Sequence, residues 1–91
     1  MTSQSHQILV RKDNAVWREV EGETVVLDLE SSTYLGINRV GTELWRVMSE
    51  GATRQDLVDH LVATYEVSVD VAGHDVDEFV EACRSRSLLE Q

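Results

Sequence analysis

The sequence predicts a small α+β domain of the winged helix-turn-helix-like type, with a three-stranded antiparallel sheet followed by three helices. Strand-like segments fill the first half of the chain, segments with helical periodicity fill the second half, and no proline-rich or low-complexity linker separates them. The 91 residues, 42% of them hydrophobic and 27% charged, suffice for one core. We therefore expect a single domain over residues 1–91, with an ordered core from about 15 to 90.

The first half begins with polar residues, and the apolar run 8–10 is either an edge strand or a docked arm. Residues 16–20 and the β-branched segment 24–29 flank a Glu-Gly turn, a pattern that predicts a hairpin. A third strand over 33–37 follows turn-forming residues. Helices on one face of this sheet would cover its apolar stripes, among them Val25, Leu27 and Leu29.

The second half carries three helical patterns. Asn38 is an N-cap candidate for the first helix, which Gly51 ends. Thr53 caps the second helix, with Asp56 at the third position of a capping box. Apolar residues spaced by three and four predict a third helix from 69 to about 86, and we expect Leu88 and Leu89 after it to fold back onto the core.

Charge and hydropathy restrict the choice of partners. The net charge is −9, and only Lys12 and seven arginines are available to form a basic stripe, which disfavours nucleic acid. No segment has the roughly 20 apolar residues of a membrane span, and the first residues lack the pattern of a secretory signal. We expect a cytoplasmic protein that binds neither nucleic acid nor membrane.

Catalytic and metal-binding residues are not indicated. Cys83 beside His60 or His74 would be the starting point for a nucleophile, but Cys83 lies on the apolar stripe of the third helix, where a buried cysteine serves packing. His6, His60 and His74 are too far apart to form a ligand pair. We expect no enzyme activity, no metal and no cofactor.

Two tryptophans have different expected roles. Trp45 falls on the apolar side of the first helix, so we expect it to anchor the core. Trp17 is flanked by charged residues on a strand, and it either caps the sheet or stays partly exposed for a partner.

The third strand is the candidate site for a partner. It lies at the edge of a three-stranded meander, and residues 31–37 contain no proline or lysine to protect that edge. Such an edge accepts an added strand, with a neighbouring helix as the wall of a side-chain pocket. The alternative is an edge covered by the chain's own termini. If the N–H of Leu35 faces outward, proline there should block strand addition.

The segment from Tyr34 to Trp45 has the pattern Tyr-Leu-Gly-Ile-Asn-x-x-Gly-x-x-Leu-Trp. Together with Val-Val-Leu-Asp before it, and Asp-Val-x-x-Phe-Val and Ser-Leu-Leu-Glu after it, this segment resembles the PqqD-like family, also called the RiPP recognition element. The resemblance covers about residues 15–90. It implies a domain that binds the leader of a ribosomally made precursor peptide as an added antiparallel strand on the third strand, with the third helix as the other wall.

The resemblance also implies the contact residues. The strand contacts are Glu30, Ser31, Ser32, Thr33, Tyr34, Leu35 and Gly36; the wall of the cleft is Val76, Phe79, Val80, Cys83 and Arg84. Leu27 and Leu35 either floor the cleft or belong to the core alone.

Within the family, the chain most resembles the stand-alone B protein of split lasso-peptide systems, which implies a separate leader peptidase of the cysteine protease type or another maturation enzyme as partner. The alternatives are a peptide chaperone for a radical enzyme, as PqqD itself is, and a winged-helix DNA-binding regulator. Ser87 replaces the glycine that is common before the final leucines, which leaves open how the last helix is capped.

Overall fold

The computed structural model describes residues 7–90, in which three strands precede three helices. The strands form one antiparallel sheet in the order β1-β2-β3. The predicted α+β, winged helix-turn-helix-like fold is therefore confirmed. His6 lies outside the described residues. The elements are β1 (Ala15–Val20), β2 (Glu23–Asp28), β3 (Thr33–Ile37), α1 (Arg39–Ser49), α2 (Arg54–Tyr65) and α3 (Val69–Ser85).

Local sequence signals set the turns and helix ends. Glu21 and Gly22 both have positive φ, as a two-residue turn requires to match the twist of a hairpin. The Asn38 side chain accepts a hydrogen bond from the N–H of Gly41 at 2.8 Å and so caps α1. Thr53 and Asp56 form the reciprocal capping box of α2. All the caps that the sequence predicts are present.

The inner face of the sheet packs against the helices to form the core. Val26 and Ile37 are buried on this face. Trp17 also points inward, and its ring meets that of Trp45 edge to face, with centroids 5.2 Å apart. Trp45 is buried, as expected of a core anchor. Trp17 thus packs against the core from the inner face of the sheet and also stays partly exposed.

The outer face of the sheet is not covered by any described element. The stripe of Val25, Leu27 and Leu29, which we expected the helices to cover, faces solvent. The helices pack on the opposite side of β2, where Thr24 and Val26 are buried and the Thr24 hydroxyl bonds to that of Thr42 at 2.9 Å. The expectation was wrong because a period-two pattern defines two faces without fixing which one is buried.

The residues before β1 form a docked arm. The N–H of Ile8 donates to the carbonyl of Ala52 at 2.5 Å, and Val10 forms a bridge with Leu89. Val10 is part of the buried core, and Leu89 is buried with it. The packed domain therefore begins before residue 15. None of the described helices is long and apolar enough to cross a membrane.

Candidate functional site: the free edge of the third strand

The outer edge of β3 is free over the described part of the chain. β3 pairs with β2 on one side, and residues 7–90 contribute no strand to its other side. The docked arm contacts Ala52 and Leu89, so the described part of the N-terminus does not cover this edge. An unprotected edge presents a row of backbone donors and acceptors to another chain.

The hydrogen-bond phase of the sheet shows which backbone groups are free. In an antiparallel pair, hydrogen-bonded and non-hydrogen-bonded residue pairs alternate. The N–H of Leu29 donates to the carbonyl of Asn14 at 2.8 Å, and these residues continue the register that pairs Ala15 with Asp28. Alternate residues of β2 therefore direct their N–H and C=O groups toward β3: Thr24, Val26 and Asp28.

Across the β2–β3 ladder those three residues pair with Ile37, Leu35 and Thr33. The backbone groups of these three β3 residues consequently face β2. Tyr34 and Gly36 alternate with them, so their N–H and C=O groups point to the free edge. Proline at Leu35 was expected to block strand addition only if the Leu35 N–H faced outward. That N–H faces β2, so proline at this position would break the native β2–β3 ladder instead.

The segment before β3 differs from the strand itself. Glu30, Ser31 and Ser32 lie in the turn, where Ser32 has a φ of 60° and the Ser31 hydroxyl bonds to that of Thr33 at 2.6 Å. A left-handed residue interrupts the ladder geometry. The regular free edge is therefore shorter than the residues 30–36 that the family resemblance implies.

A groove separates β3 from α3 and the segment after it; we call it the β3–α3 groove. Its central part is a shallow depression of about 10 Å³ beside half-buried Leu35 and exposed Arg86, with Val26 and Leu88 buried beneath it. At the α1 end, half-buried Phe79 borders a crevice of about 340 Å³. The other residues that line this crevice are Asn38, Val40, Gly41, Leu44, Asp75 and Glu78. Leu35 and Phe79 are thus the apolar side chains that the groove presents, one beside the free strand edge and one in the crevice that also holds Asp75 and Glu78.

The residues expected in the groove wall are not equivalent. Val76 and Cys83 are 0% exposed, so they support the groove from below and offer no surface. Val80, at 7%, is nearly closed as well. Arg84 is exposed and pairs with Glu81 at 3.2 Å on the surface of α3.

Leu27 lies on the outer face of the sheet, because its side chain points away from α3, and it does not floor the groove. Among the predicted residues, Leu35, Phe79, Thr33 and the backbones of Tyr34 and Gly36 remain at the groove or its edge.

Arg86 and Leu88 also lie at the β3–α3 groove, although neither is among the site residues predicted from the sequence. The apolar pair at the end of the chain was a usable signal, since it predicted that Leu88 folds back. Their placement follows from the end of α3, where Ser87 has a φ of 60° and the Leu88 N–H bonds to the carbonyl of Cys83. This Schellman arrangement turns the chain back under β3, so a non-glycine residue provides the left-handed position.

Cys83 has the environment of a structural cysteine. Burial raises the pKa of its thiol to about 12. A thiol with that pKa is protonated at neutral pH and is a weak nucleophile. Among the described residues no cluster of three His, Cys, Asp or Glu side chains could hold a metal ion.

An ion pair fixes the turn that leads into β3. The Arg11 guanidinium donates to the Asp28 carboxylate at 3.0 Å and lies 3.6 Å from that of Glu30. Partial burial raises the pKa of Asp28, but hydrogen bonds from the Glu30 N–H and from Arg11 outweigh it, so that this pKa lies below its ordinary value. The docked arm therefore holds the end of β2 from which the turn to β3 starts.

Several cations that could contact a nucleic acid are already paired. Carboxylates lie within ion-pair distance of four arginines: Arg11, Arg46, Arg54 and Arg84. Four other cations, Lys12, Arg18, Arg39 and Arg86, lie outside the ion pairs of the described residues, and the net charge of −9 disfavours a phosphate backbone as partner.

Comparison with known families places the chain in a class of small domains. The family model described as "Coenzyme PQQ synthesis protein D (PqqD)" matches residues 23–89. This match covers well over half of the chain, and the chain belongs to the PqqD family. The resemblance inferred from the sequence is confirmed. No curated protein gives a significant match.

Solved structures give a more particular comparison. One is titled "TbiB1 in Complex with the TbiA(beta) Leader Peptide"; it is 30% identical, with a TM-score of 0.84 over 90% of this chain and 94% of that one. A second, "Lasso peptide synthetase B1 complexed with the leader peptide", is 19% identical, with a TM-score of 0.84 over 94% of this chain and 100% of that one. The second shows the shared fold alone. The chain is thus similar in structure to B1 proteins of lasso-peptide synthesis.

Proposed function

We propose that this protein binds the leader segment of a ribosomally synthesised precursor peptide, of the lasso-peptide type, as an added antiparallel strand on β3. The observation that carries the proposal is the free edge of β3 beside an apolar groove, with the backbone groups of Tyr34 and Gly36 directed outward. The TbiB1 complex supports it, since that relative is 30% identical and holds a leader peptide.

The ladder would give the bound segment a defined direction and two faces. An antiparallel strand on β3 starts near Asn38 and ends near Thr33. Residues opposite Tyr34 and Gly36 would exchange backbone hydrogen bonds with them. The residue opposite Leu35 would point into the β3–α3 groove, and its two neighbours would point to the outer face. Affinity then comes from the ladder and specificity from the groove.

The role proposed for the protein is presentation of the leader to a separate enzyme, without catalysis of its own. For a lasso-peptide system this enzyme is a leader peptidase of the cysteine protease type; another maturation enzyme would use the same mode of delivery. Holding the substrate raises its effective concentration at the peptidase.

The outer face of the sheet is the surface that best fits the enzyme. It carries exposed Val16, Val25, Leu27 and Tyr34, side by side in adjacent strands. Among the residues of the three strands, only Arg18 and Glu23 bring charge to this face. A leader strand on β3 would extend the same face, so an enzyme docked there reaches the adaptor and its substrate together.

A second candidate function is a peptide chaperone for a radical enzyme. The observation that favours it is the matched family model, which is that of a coenzyme PQQ synthesis protein. Both functions use leader binding at β3 and differ in the enzyme served. A DNA-binding regulator is disfavoured, because the chain is acidic and four of its arginines are ion-paired.

The test is fluorescence anisotropy of the labelled leader of the precursor encoded beside this gene, titrated with two variants at one position. Tyr34→Pro removes an outward N–H without touching the β2–β3 ladder, and we expect at least a roughly tenfold weaker Kd, since proline is tolerated at a strand edge but cannot donate. Tyr34→Ala keeps that N–H and removes the same side chain.

Tyr34→Ala should therefore bind the leader more tightly than Tyr34→Pro does. Circular dichroism of both variants checks that the difference is not due to unfolding. Equal affinities of two folded variants would mean that this edge does not carry the ladder. Failure of the unaltered protein to bind the leader would reject leader binding itself.

A further inference from the structure

Gly36 is a glycine for which the folded chain gives no internal reason. Gly22 and Gly51 have φ values of 86° and 88°, where other residues are strained. An added Cβ at Gly41 would lie 2.5 Å from a methyl carbon of Ile37, and one at Gly73 would lie 2.9 Å from the Arg54 guanidinium. At Gly36 an added Cβ would meet no atom of residues 7–90 within 4 Å, and φ lies outside the left-handed region.

A glycine inside a strand has a cost, because it increases the conformational freedom lost on folding and provides no side chain for packing. Here it also leaves a gap on the outer face of the sheet, which we call the Gly36 notch. Val25 lies directly across from Gly36 on β2 and is 42% exposed, and Tyr34, two residues earlier on β3, is 71% exposed. The notch thus has apolar neighbours on two sides and is open on the third, at the free edge.

Any strand added to β3 places one of its side chains beside this notch. The residue opposite Gly36 points to the outer face, since cross-strand partners share a face. Val25 lies on the second strand from the added one, about 9.6 Å away between backbones, so the side chain must pass over the Gly36 backbone to contact the Val25 side chain. Alanine and valine are too short for this, whereas phenylalanine, tyrosine, tryptophan, methionine and leucine are long enough.

We infer that the Gly36 notch is a specificity subsite for a large apolar side chain of the leader, with an aromatic ring as the best fit. The inference rests on the proposed function, because it assumes that the leader pairs with β3. Aromatic side chains pack well over a cross-strand glycine. In this position a ring also contacts Val25 and the edge of Tyr34. The leader is then read on two faces, in the groove and over the notch.

The variant that tests the inference is Gly36→Val, which fills the notch with a strand-forming residue. The free protein has room for it, so its thermal unfolding midpoint should not fall. We expect the Kd for the labelled leader to rise by about tenfold or more, through lost contact and overlap with the bound side chain. Arg18→Val is the matched control: it adds a valine to the same row of the same face at the opposite strand, and should leave the Kd unchanged.

A reciprocal change in the peptide separates a direct contact from a general effect on β3. Alanine replaces each large apolar residue of the leader in turn. One such replacement should weaken binding to the unaltered protein by about fivefold or more and have little effect on binding to Gly36→Val, because the contact is already lost.

Unchanged leader affinity of Gly36→Val would overturn the inference and leave strand addition intact. The inference would also be overturned if Gly36→Val weakened binding of every alanine-substituted leader by the same factor. Normal leader binding by Gly36→Val with impaired cleavage would instead assign the notch to the enzyme. If the unaltered protein binds no leader, the proposed function and the inference both fail.

Discussion

At the scale of single residues, the end of α3 depends on a serine in an unfavourable conformation. Ser87 has a φ of 60°, and its N–H and that of Leu88 bond back to the carbonyls of Arg84 and Cys83. These bonds satisfy the last turn of the helix and direct Leu88 under the groove. The left-handed conformation is costly for a residue with a Cβ. The helix end requires this conformation at position 87, and serine adopts it at a cost in free energy.

Ser87→Gly should therefore stabilise the protein by about 0.5 to 1 kcal/mol, since glycine adopts this conformation without strain. Urea unfolding gives the difference in free energy. Ser85→Gly, at the last residue of α3, has no left-handed conformation to relieve and should not stabilise the protein. A loss of stability in Ser87→Gly would show that the serine forms an interaction that outweighs its strain.

The ion pair of Arg11 and Asp28 predicts acid sensitivity. The pKa of Asp28 is below its ordinary value of 3.8, so its contribution to stability is present above that value and is lost as pH falls through the lower folded pKa. Arg11→Met removes one cause of the lowered pKa, and the unfolding free energy should then fall less steeply below about pH 4.

Urea unfolding of both proteins between about pH 5 and about pH 2.5 measures this difference in slope. Lys12→Met is the control, because it removes the adjacent positive charge and leaves the Arg11 contact in place. Equal slopes for Arg11→Met and the unaltered protein would mean that Arg11 does not lower the pKa of Asp28.

At the scale of elements, the two faces and the free edge of the sheet have different tasks. The inner face holds the core, the edge of β3 offers Tyr34 and Gly36 backbone groups, and the outer face offers exposed apolar side chains. The division follows from strand geometry, which sends side chains to alternate faces and backbone groups to alternate edges. One short strand can therefore contact a peptide and an enzyme with different atoms.

This division predicts a separation of binding from cleavage. Leu27→Lys places a charge in the centre of the outer face, away from the groove. If an enzyme docks there, the rate of leader cleavage by the cognate peptidase should fall by about tenfold or more, because a charge in an apolar interface costs several kcal/mol. The leader Kd should change by less than about twofold.

The control for this variant is Leu27→Val, which keeps an apolar side chain and should keep the cleavage rate. A Leu27→Lys protein that supports normal cleavage would exclude the outer face as the docking surface.

Elements with local determinants could be predicted from the sequence. Asn38, Thr53 and Gly51 define helix ends through bonds to residues a few positions away, so their roles are readable without the fold. The buried face of β2 and the hydrogen-bond phase of β3 depend on packing between distant segments. For that reason the sequence leaves Leu27 between the cleft floor and the core, when it lies on the outer face, and leaves open which way the Leu35 N–H points.

At the scale of the whole molecule, the domain is acidic and its proposed site depends on backbone groups. The net charge is −9, yet the free edge itself consists of uncharged peptide groups, with Leu35 beside it and the charges of Arg86, Asp75 and Glu78 elsewhere along the groove. Affinity that comes from a backbone ladder and apolar contacts is screened little by salt, unlike affinity that comes from exposed charges. The overall charge then serves solubility more than recognition.

The free edge also shows how far the family pattern alone reaches. The motif around Gly36 identified the family and the strand, but it gave seven contact residues from Glu30 to Gly36 without distinction. The structure reduces the free ladder within β3 to Tyr34 and Gly36, because Ser32 interrupts the geometry and Leu35 faces β2. The alternation of inward and outward backbone groups along the five residues of β3 is therefore the most specific property of the proposed site.

Amide hydrogen exchange, resolved residue by residue by NMR with and without saturating leader peptide, tests strand addition most directly. Backbone N–H groups that enter a ladder exchange more slowly. The account predicts protection of the Tyr34 and Gly36 amides by about tenfold or more on leader binding, while the Leu35 amide is already protected in the free protein and changes little. Leader binding that leaves the Tyr34 and Gly36 amides unprotected, or that protects only helix residues, would contradict strand addition at β3.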